Sequence, residues 1–324
     1  MTPGFSAADR HRVGDLRQLA SVRRIMLDDG GERGVHALAF STGGGLDFWA
    51  LADRALDIGP LWWKGMPIAW VSPLGFRSPF LHDAESEGGQ GFGRMLSGMV
   101  ITGGLDHIRQ PLGDQPLHGR FPFTPASVRS YGEDWDRAEP MLFCEGEATQ
   151  WLRGGASLRL HRRIEAPISG NTLTIFDTVE NIGAKPTPQA LLYHCNIGFP
   201  AISAGTTVRS HDRLLLGPIG APDAAAENSV TSYQAAGAEG HCVVSTDMAD
   251  GSILEVTFRF DAATLPHLQL MHDLRPNGML VAVEPCTSAR LEGGLSDVER
   301  SLAPGEKRHY RLSIGLATRQ VAGP

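Results

Sequence analysis

The chain has 324 residues, of which 42% are hydrophobic and 20% are charged, the fractions of an ordinary soluble globular protein. Its formal net charge is −7, and no basic stripe or alternation of basic and aromatic residues marks a nucleic-acid-binding surface. No apolar run is long enough to cross a bilayer, so neither nucleic acid nor membrane is expected as a partner.

The cysteines and the first residues predict a cytoplasmic location. Cys144, Cys195, Cys242 and Cys286 are scattered and form no C-x-x-C pair. This pattern suits small buried thiols in a reducing compartment better than a disulfide framework. Residues 1–15 are polar and lack the apolar segment of a secretory signal peptide.

Short β-strand patterns begin near Val22. Residues 33–40 and 46–51 predict a hairpin around a glycine-rich turn. In the next short segment, Arg54 and Asp57 are expected to form a structural ion pair within a strand.

The glycine-rich stretch at 86–104 predicts a loop that leads into a strand at 99–101. Its glycines have neither the spacing nor the following amphipathic helix of a nucleotide-binding loop. Further on, prolines and a glycine surround His118 and predict irregular backbone there, where functional side chains are often carried.

The middle and C-terminal parts of the chain contain the clearest strand signals. Apolar and polar residues alternate at 156–164, 172–179, 254–260 and 310–316. The stretch 279–283 is apolar throughout, which is typical of an interior strand. Long helical patterns and linker-like changes of composition are absent. We therefore predict an all-β fold in a single domain that spans residues 1–324.

The stretch at 191–200 predicts a strand that ends near a functional site. His194 and Asn196 fall on one face of a period-2 pattern, and Gly198 and Pro200 end the strand. Alone, such a histidine is more often a half-buried residue bonded to a neighbour. Together with His118 and a later glutamate, it indicates a proton-transfer site.

That glutamate is Glu284, at the end of the interior strand and just before a proline. Burial disfavours the charged form of a carboxyl group and raises its pKa towards the range useful to a general base. The alternative is a glutamate that pairs with an arginine. Imidazole changes charge near neutral pH, so His194 is the candidate for the complementary acid.

Five short motifs follow one another between about Gly14 and Leu316. They are DRALDI at 53–58, GMVITGGLD at 98–106, LHGR at 117–120, YHCNIGFP at 193–200 and VEP at 283–285. In this order they resemble aldose 1-epimerase-like proteins of the galactose mutarotase superfamily, and most closely the branch called DUF4432. The resemblance implies an antiparallel β-supersandwich, in agreement with the strand pattern.

The resemblance also implies roles for individual residues. Glu284 corresponds to the base, His194 to the acid and His118 to a second histidine over the sugar ring. An arginine that holds substrate hydroxyls is expected at Arg94, with Arg120 as the alternative.

Further residues are candidates for substrate binding. Asn196 and His107 are two of them, and Asp273 is the candidate for an aspartate that related enzymes carry on a separate strand. Mutarotases usually have a longer Asn-His-Ser-Tyr-Phe-Asn pattern, of which this chain retains only His194 and Asn196. The identity of the sugar therefore stays open.

Three hypotheses for function follow. The leading one is an isomerase of the aldose 1-epimerase (mutarotase) type that acts on a free sugar or sugar acid without cofactor or metal. The second is a metal-dependent sugar isomerase or lyase, although no tight ligand spacing such as H-E-x-x-H occurs. Its ligands would come from His107, His118, His194, His272 and Glu284.

The third hypothesis is a non-catalytic carbohydrate-binding protein. In each case a small carbohydrate is the expected partner, and the chain is expected to be a monomer or homodimer.

Overall fold

The computed structural model describes residues 4–297 and 300–320, and antiparallel strands in three sheets dominate this part of the chain. The predicted all-β fold is confirmed. The helical segments are short and comprise α1 (Ser86–Gly89) and the 3₁₀ turns Ala7–Arg12, Leu16–Gln18, Gly30–Glu32, Ala52–Arg54, Pro79–Leu81, Gly91–Met95, Phe121–Phe123 and Glu292–Gly294. None of these described helices has the length and apolarity that crossing a lipid bilayer requires.

The first sheet is built from N-terminal strands in chain order. Its strands are β1 (Ser21–Met26), β2 (His36–Ser41), β3 (Leu46–Leu51), β4 (Asp57–Trp63) and β5 (Met66–Pro67), each paired with the next. The predicted hairpin is β2–β3, in which Phe40 lies opposite Phe48 and their ring centroids are 4.4 Å apart. Gly43 and Gly45 in its turn have φ values of 72° and 103°, which glycine adopts without steric cost.

The second sheet has nine strands and contains the most regular alternation. Its strands are β7 (Ser127–Asp134), β8 (Met141–Trp151), β9 (Ser157–Pro167), β10 (Thr172–Asn181), β12 (Thr207–Ser210), β13 (Arg213–Leu216), β15 (Glu239–Asp247), β16 (Ser252–Asp261) and β20 (Lys307–Gln320). They pair in the order β13-β12-β15-β16-β20-β10-β9-β8-β7. In β9, β10 and β16, buried residues alternate with more exposed ones, as the sequence pattern predicts.

The third sheet carries His194 and Glu284, the predicted acid and base of the proton-transfer site. Its strands are β6 (Ile101–Leu105), β11 (Thr187–Ile197), β14 (Ser229–Gln234), β17 (His267–Asp273), β18 (Leu280–Cys286) and β19 (Arg300–Leu302). The main order is β14-β17-β18-β11-β19, and β6 pairs with the middle of β11. Every residue of β18 is buried, which confirms the interior strand predicted there.

β11 separates the main hydrophobic core from the cavity described below. Leu191, Tyr193 and Cys195 point into the main core, which collects buried side chains from all three sheets. Leu192 packs in a second, smaller cluster on the other face, the face that also carries His194. The strand ends just before Gly198, as predicted.

Arg54 and Asp57 do not form the ion pair that the sequence predicts. Arg54 lies in a 3₁₀ turn before β4, and its guanidinium donates to two backbone carbonyl groups at 2.7 and 3.0 Å. Asp57 pairs instead with Arg162 of β9, with Nη1 and Oδ1 2.9 Å apart. The two residues between Arg54 and Asp57 have positive φ values of 50° and 59°. The backbone therefore turns there, and the predicted pair does not share one strand.

Candidate active site

A cavity of about 260 Å³ lies against the third sheet. Strands contribute His194, Val230, Gln269, Met271 and Glu284 to its lining, and turns and loops contribute Gln90, Phe92, Gly93, Leu96, Arg109, Gln110, Leu117, His118, Asn228, Arg290 and Gly294. The structure thus brings His118, His194 and Glu284 together in one pocket, although they are far apart in sequence.

Strand register places three polar side chains in a row across the sheet. β11 and β18 pair Leu192 with Cys286 and Cys195 with Val283, a register that sets His194 opposite Glu284. On its other side, Glu284 lies opposite Gln269 of β17. Side chains directly opposite each other on neighbouring strands are close enough to interact.

Glu284 is fully buried, and its two oxygens differ. Oε2 accepts a hydrogen bond from Gln269 Nε2. Oε1 has no hydrogen-bond partner among the residues that the structure describes and lies 3.4 Å from His194 Nε2, beyond the usual range of a direct hydrogen bond. Burial raises the pKa of Glu284, while the charges of His194 and Arg109 and the bond from Gln269 oppose the rise. Oε1 is therefore the oxygen available to take up a proton.

Arg109 orients the glutamine that holds Glu284. Its guanidinium donates to Gln269 Oε1 and to the Ser288 carbonyl, and Nη2 lies 3.3 Å from Cys286 Sγ. Arginine can only donate hydrogen bonds, so the amide oxygen of Gln269 must face Arg109 and its NH₂ group must face Glu284. Arg109 is only 2% exposed, and its positive charge stabilises the carboxylate of Glu284.

Asn196 sets the tautomer of His194. Asn196 Nδ2 donates to the Leu96 carbonyl at 2.8 Å, which turns its Oδ1 towards His194. His194 Nδ1 lies 2.6 Å from this Oδ1 and must carry the hydrogen that it donates. His194 Nε2 is thus the ring nitrogen that faces Glu284.

His118 is a buried neighbour of His194. Its Nδ1 accepts a hydrogen bond from the backbone N–H of Arg109 at 3.1 Å. Burial, followed by the charges of His194, Arg109 and His107, lowers the pKa of His118 well below 6.5. The rings of His118 and His194 meet edge to face with centroids 5.7 Å apart, and Phe92 packs against both.

A buried network behind the cavity holds β11 against the other two sheets. Tyr193 donates to Asp177 Oδ2 at 2.7 Å, and Arg162 bridges Asp177 and Asp57 at 2.7 and 2.9 Å. Thr102 of β6 donates to Asp57 Oδ1 at 2.6 Å. All five side chains are at most 2% exposed, so each charge depends on its partners. The residue next to His194 is therefore anchored to all three sheets.

Neither Arg94 nor Arg120, the two candidates for a substrate-binding arginine, lines the cavity. Arg94 pairs with Glu87 and Arg120 with Glu85, both on the protein surface, and neither residue lines the cavity. Arg109 lies there instead. Its position between the motifs at 98–106 and 117–120 was the only signal in the sequence, because its side chain contacts residues at least 160 positions away.

Three further candidates for substrate binding also lie outside the cavity lining. Both polar atoms of Asn196 are used within the protein, so this residue supports His194. His107 is buried, and its Nε2 lies 2.9 Å from the Gln110 carbonyl. Asp273 pairs with Arg275. Gln269 was not predicted, since only the strand register brings it to Glu284.

No group of three His, Cys, Asp or Glu side chains in residues 4–297 and 300–320 has the arrangement of a metal site. Of the five ligands considered for the metal-dependent alternative, His107 and His272 lie outside the cavity lining. The geometry of the described residues thus provides no ligand set for that alternative.

Comparisons with known proteins agree with the fold. The family model described as a domain of unknown function, DUF4432, matches residues 32–316. A candidate aldose 1-epimerase from Klebsiella pneumoniae has a similar structure, with a TM-score of 0.72, 18% identity, and coverage of 95% of this chain and 86% of that chain. None of the curated proteins matches the chain by sequence.

Two more distant structures have the same architecture. A galactose mutarotase-like protein from Clostridium acetobutylicum has a TM-score of 0.59 at 14% identity, covering 93% of this chain and 98% of that chain. Galactose 1-epimerase from Lactobacillus acidophilus has a TM-score of 0.53 at 10% identity, covering 92% and 99%. The fold is therefore galactose mutarotase-like, as predicted.

Proposed function

This chain belongs to the DUF4432 family, and we propose that its cavity is the active site of an isomerase that interconverts the anomers of a free sugar or sugar acid. The fold is compatible with such mutarotase chemistry, but a fold alone does not define a reaction. The observation that carries the proposal is the burial and hydrogen bonding of the Glu284 carboxyl group. This buried carboxyl group has one oxygen held by Gln269, and the other has no hydrogen bond to a described residue and lies 3.4 Å from His194 Nε2.

In the proposed ring opening, Glu284 Oε1 takes the proton from the anomeric hydroxyl. The pKa of Glu284, raised by burial, makes it a better match for this task than an exposed glutamate. Protonated His194 Nε2 donates its proton to the ring oxygen as the C1–O5 bond breaks. Both oxygens are attached to the same carbon, so the acid and the base must be neighbours. The cross-strand pair of His194 and Glu284 meets this requirement.

Ring closure reverses the two roles. The open aldehyde rotates about its C1–C2 bond, and the hydroxyl attacks the other face of the carbonyl carbon. His194 takes the proton from this hydroxyl, while Glu284 returns its proton to the carbonyl oxygen. Protons and charges balance over the cycle and no electrons are transferred, so the side chains return to their starting state.

Two neighbours support this chemistry. Neutral His118 has its Nδ1 occupied by the Arg109 N–H, so its Nε2–H is available as a donor to a sugar hydroxyl. Arg109, through Gln269, fixes the carboxyl group of Glu284 and leaves Oε1 free. Preorganised groups of this kind lower the cost of reorganisation during reaction.

Anomeric exchange measured by NMR over a panel of free sugars and sugar acids tests the proposal. Glu284→Gln keeps the shape of the side chain but cannot accept the proton, and His194→Asn removes the proton donor. We expect each to lower the exchange rate by roughly 10²–10⁴-fold while sugar binding is retained. Glu255→Gln, which changes a surface glutamate paired with Arg319, is the matched control.

Three outcomes would contradict parts of this assignment. Full activity in Glu284→Gln would remove the glutamate as the base. Activity that disappears with a chelator and returns with metal would favour a metal-dependent reaction. Sugar binding without exchange for any sugar of the panel, unaffected by Glu284→Gln, would favour a carbohydrate-binding protein.

A further inference from the structure

Arg290 is a cation of the cavity lining whose guanidinium has no anionic partner among the described residues. No hydrogen bond or ion pair joins its guanidinium to any residue in the described part of the chain, although its backbone N–H lies 3.4 Å from Ser232 Oγ. Arg109, the other arginine of the lining, is committed to Gln269 and Ser288. A guanidinium group can bind a planar anion through two parallel hydrogen bonds, and the half-buried Arg290 has this capacity unused by the described part of the protein.

The turn that follows Arg290 leaves room for its guanidinium. Gly294 has a φ of 82°, and a Cβ atom there would lie 2.9 Å from Arg290 Nη2 and 2.6 Å from Gln110 Cγ. The Gly294 carbonyl accepts a bond from the Gln110 N–H at 3.2 Å, and the Leu291 N–H donates to Leu295 at 2.8 Å. Glycine adopts this positive φ without strain, and its missing side chain leaves room for the guanidinium beside Gln110 at the wall of the cavity.

Gln110 adds a neutral donor to the same wall. Its Oε1 accepts a hydrogen bond from Gln90 Nε2 at 3.2 Å, which leaves its NH₂ group without a bond to any described residue. Arg290 and Gln110 therefore place unused N–H donors next to one another. Such a set suits a group that only accepts hydrogen bonds, such as a carboxylate or phosphate.

The charged side chains of the cavity lining also favour an anionic ligand. Two arginines, Arg109 and Arg290, face a single carboxylate, Glu284, and Arg109 is already linked to that carboxylate through Gln269. Arg109 lowers the pKa of Glu284 more than Arg290 does. Arg290 makes no ion pair with Glu284, and its guanidinium lies beside Gly294 and Gln110 instead.

We infer that Arg290 and Gln110 form a subsite for an anionic substituent, so that the substrate is an aldose with a carboxylate or phosphate group away from its anomeric carbon. This inference rests on the proposed function, because it takes Glu284 and His194 as the anomeric end. The cavity of about 260 Å³ is smaller than the roughly 300–1,000 Å³ of pockets for drug-sized ligands, which suits a single sugar ring.

Direct binding tests the subsite without depending on turnover. Isothermal titration calorimetry with D-galacturonate, D-galactose 6-phosphate and D-galactose compares a carboxylate, a phosphate and a neutral ring. We expect at least one anionic probe to bind the parent protein at least about tenfold more tightly than D-galactose. A preference for D-galacturonate identifies a carboxylate site, and a preference for the 6-phosphate identifies a phosphate site. Added salt should weaken the anionic probe more than the neutral one.

Variants assign the preference to Arg290. Arg290→Gln should lower the ratio of anionic to neutral affinity by roughly tenfold or more, and Arg290→Lys, which keeps the charge, should retain part of it. Arg129→Gln is the matched control, since Arg129 is 60% exposed and pairs with Glu147 on the second sheet. If Arg290→Gln does not fold, as judged by circular dichroism, Gln110→Leu and Arg290→Lys carry the comparison.

Failure of the subsite and failure of the proposed function are distinguishable. Equal affinity for anionic and neutral probes, or a preference that persists in Arg290→Gln, overturns the subsite. If the protein exchanges the anomers of neutral sugars but not of anionic sugars, the proposed function stands and the subsite is overturned. An Arg290-dependent preference for anions, in a protein that exchanges no sugar, retains the subsite and overturns the reaction.

Discussion

Asn196 Oδ1 lies 2.6 Å from His194 Nδ1, and both residues occupy the same face of β11. The side chain two positions along the strand therefore determines which nitrogen of the histidine faces Glu284. In the proposed reaction this places the exchangeable proton of His194 on Nε2, within reach of the anomeric end of a sugar.

The first prediction concerns this asparagine. Asn196→Leu removes the acceptor of the His194 Nδ1–H, so the ring can adopt the wrong tautomer or rotate. Loss of such an orienting partner typically costs roughly 10–100-fold, and we expect the loss mainly in kcat for anomeric exchange. Asn196→Asp keeps an acceptor at Nδ1 and should retain more activity than Asn196→Leu. Equal activity in these two variants would contradict the orienting role.

The second prediction concerns the charge of Arg109. Glu284 must be deprotonated to act as the base, and burial raises its pKa, so exchange should fail as the pH decreases through that raised pKa. The positive charge of Arg109 holds this pKa down. Arg109→Gln should therefore raise it further and move the acid limb of the kcat/KM profile to higher pH.

Arg109→Lys is the control for that shift, because lysine keeps the positive charge although it loses the forked hydrogen bonds. Its acid limb should lie closer to that of the parent protein than the limb of Arg109→Gln. An acid limb that does not move in Arg109→Gln would mean that the charge of Arg109 does not act on the base.

The third prediction concerns stability and compares two neighbouring arginines of β9. Arg162 is buried between Asp57 and Asp177, whereas Arg163 is partly exposed and pairs with Glu145 and Glu165. Arg162→Met leaves two buried carboxylates without their cation and should lower the free energy of unfolding by about 3–5 kcal/mol. Arg163→Met should cost no more than about 1 kcal/mol. Urea unfolding measures both, and similar losses would contradict the structural role of the buried network.

Much of the sheet structure follows from local pattern. Alternation of apolar and polar residues indicates a strand with one buried face, as in β9, β10 and β16. A continuous apolar run indicates a strand buried on both faces, as in β18. β8 was not predicted, although it alternates too. Its inward positions carry small side chains, Cys144, Gly146 and Ala148, whose apolar signal is weak.

The candidate site likewise contains residues that local sequence predicts and residues that it does not. Glu284 and His194 were predicted because each lies in a short, distinctive stretch on a strand. Arg109 and Gln269 were not, because their contacts depend on strand register and on how a loop approaches the sheet. Gln269 and Glu284 are 15 residues apart, and Arg109 and Gln269 are 160 apart. Local sequence contains no signal for such contacts.

The last prediction concerns His118, whose buried ring links pH to stability. Burial and neighbouring positive charges lower its pKa well below 6.5 in the native state. Below pH 6.5 the unfolded chain therefore binds a proton that the native state does not. Its contribution to stability is lost as the pH falls from 6.5 to the lowered pKa, with a slope of at most about 1.4 kcal/mol per pH unit.

His118→Asn tests this contribution, because asparagine has no group that titrates there and tolerates the positive φ of 57° at this position. The free energy of unfolding in urea, measured from about pH 7.5 to about pH 5, should fall more steeply for the parent than for the variant. NMR of the parent should find the His118 ring still neutral when exposed histidines have become charged. Equal slopes for the two proteins, or a His118 ring that gains its proton near pH 6.5, would mean that the buried ring is charged and would remove the neutral donor from the proposed site.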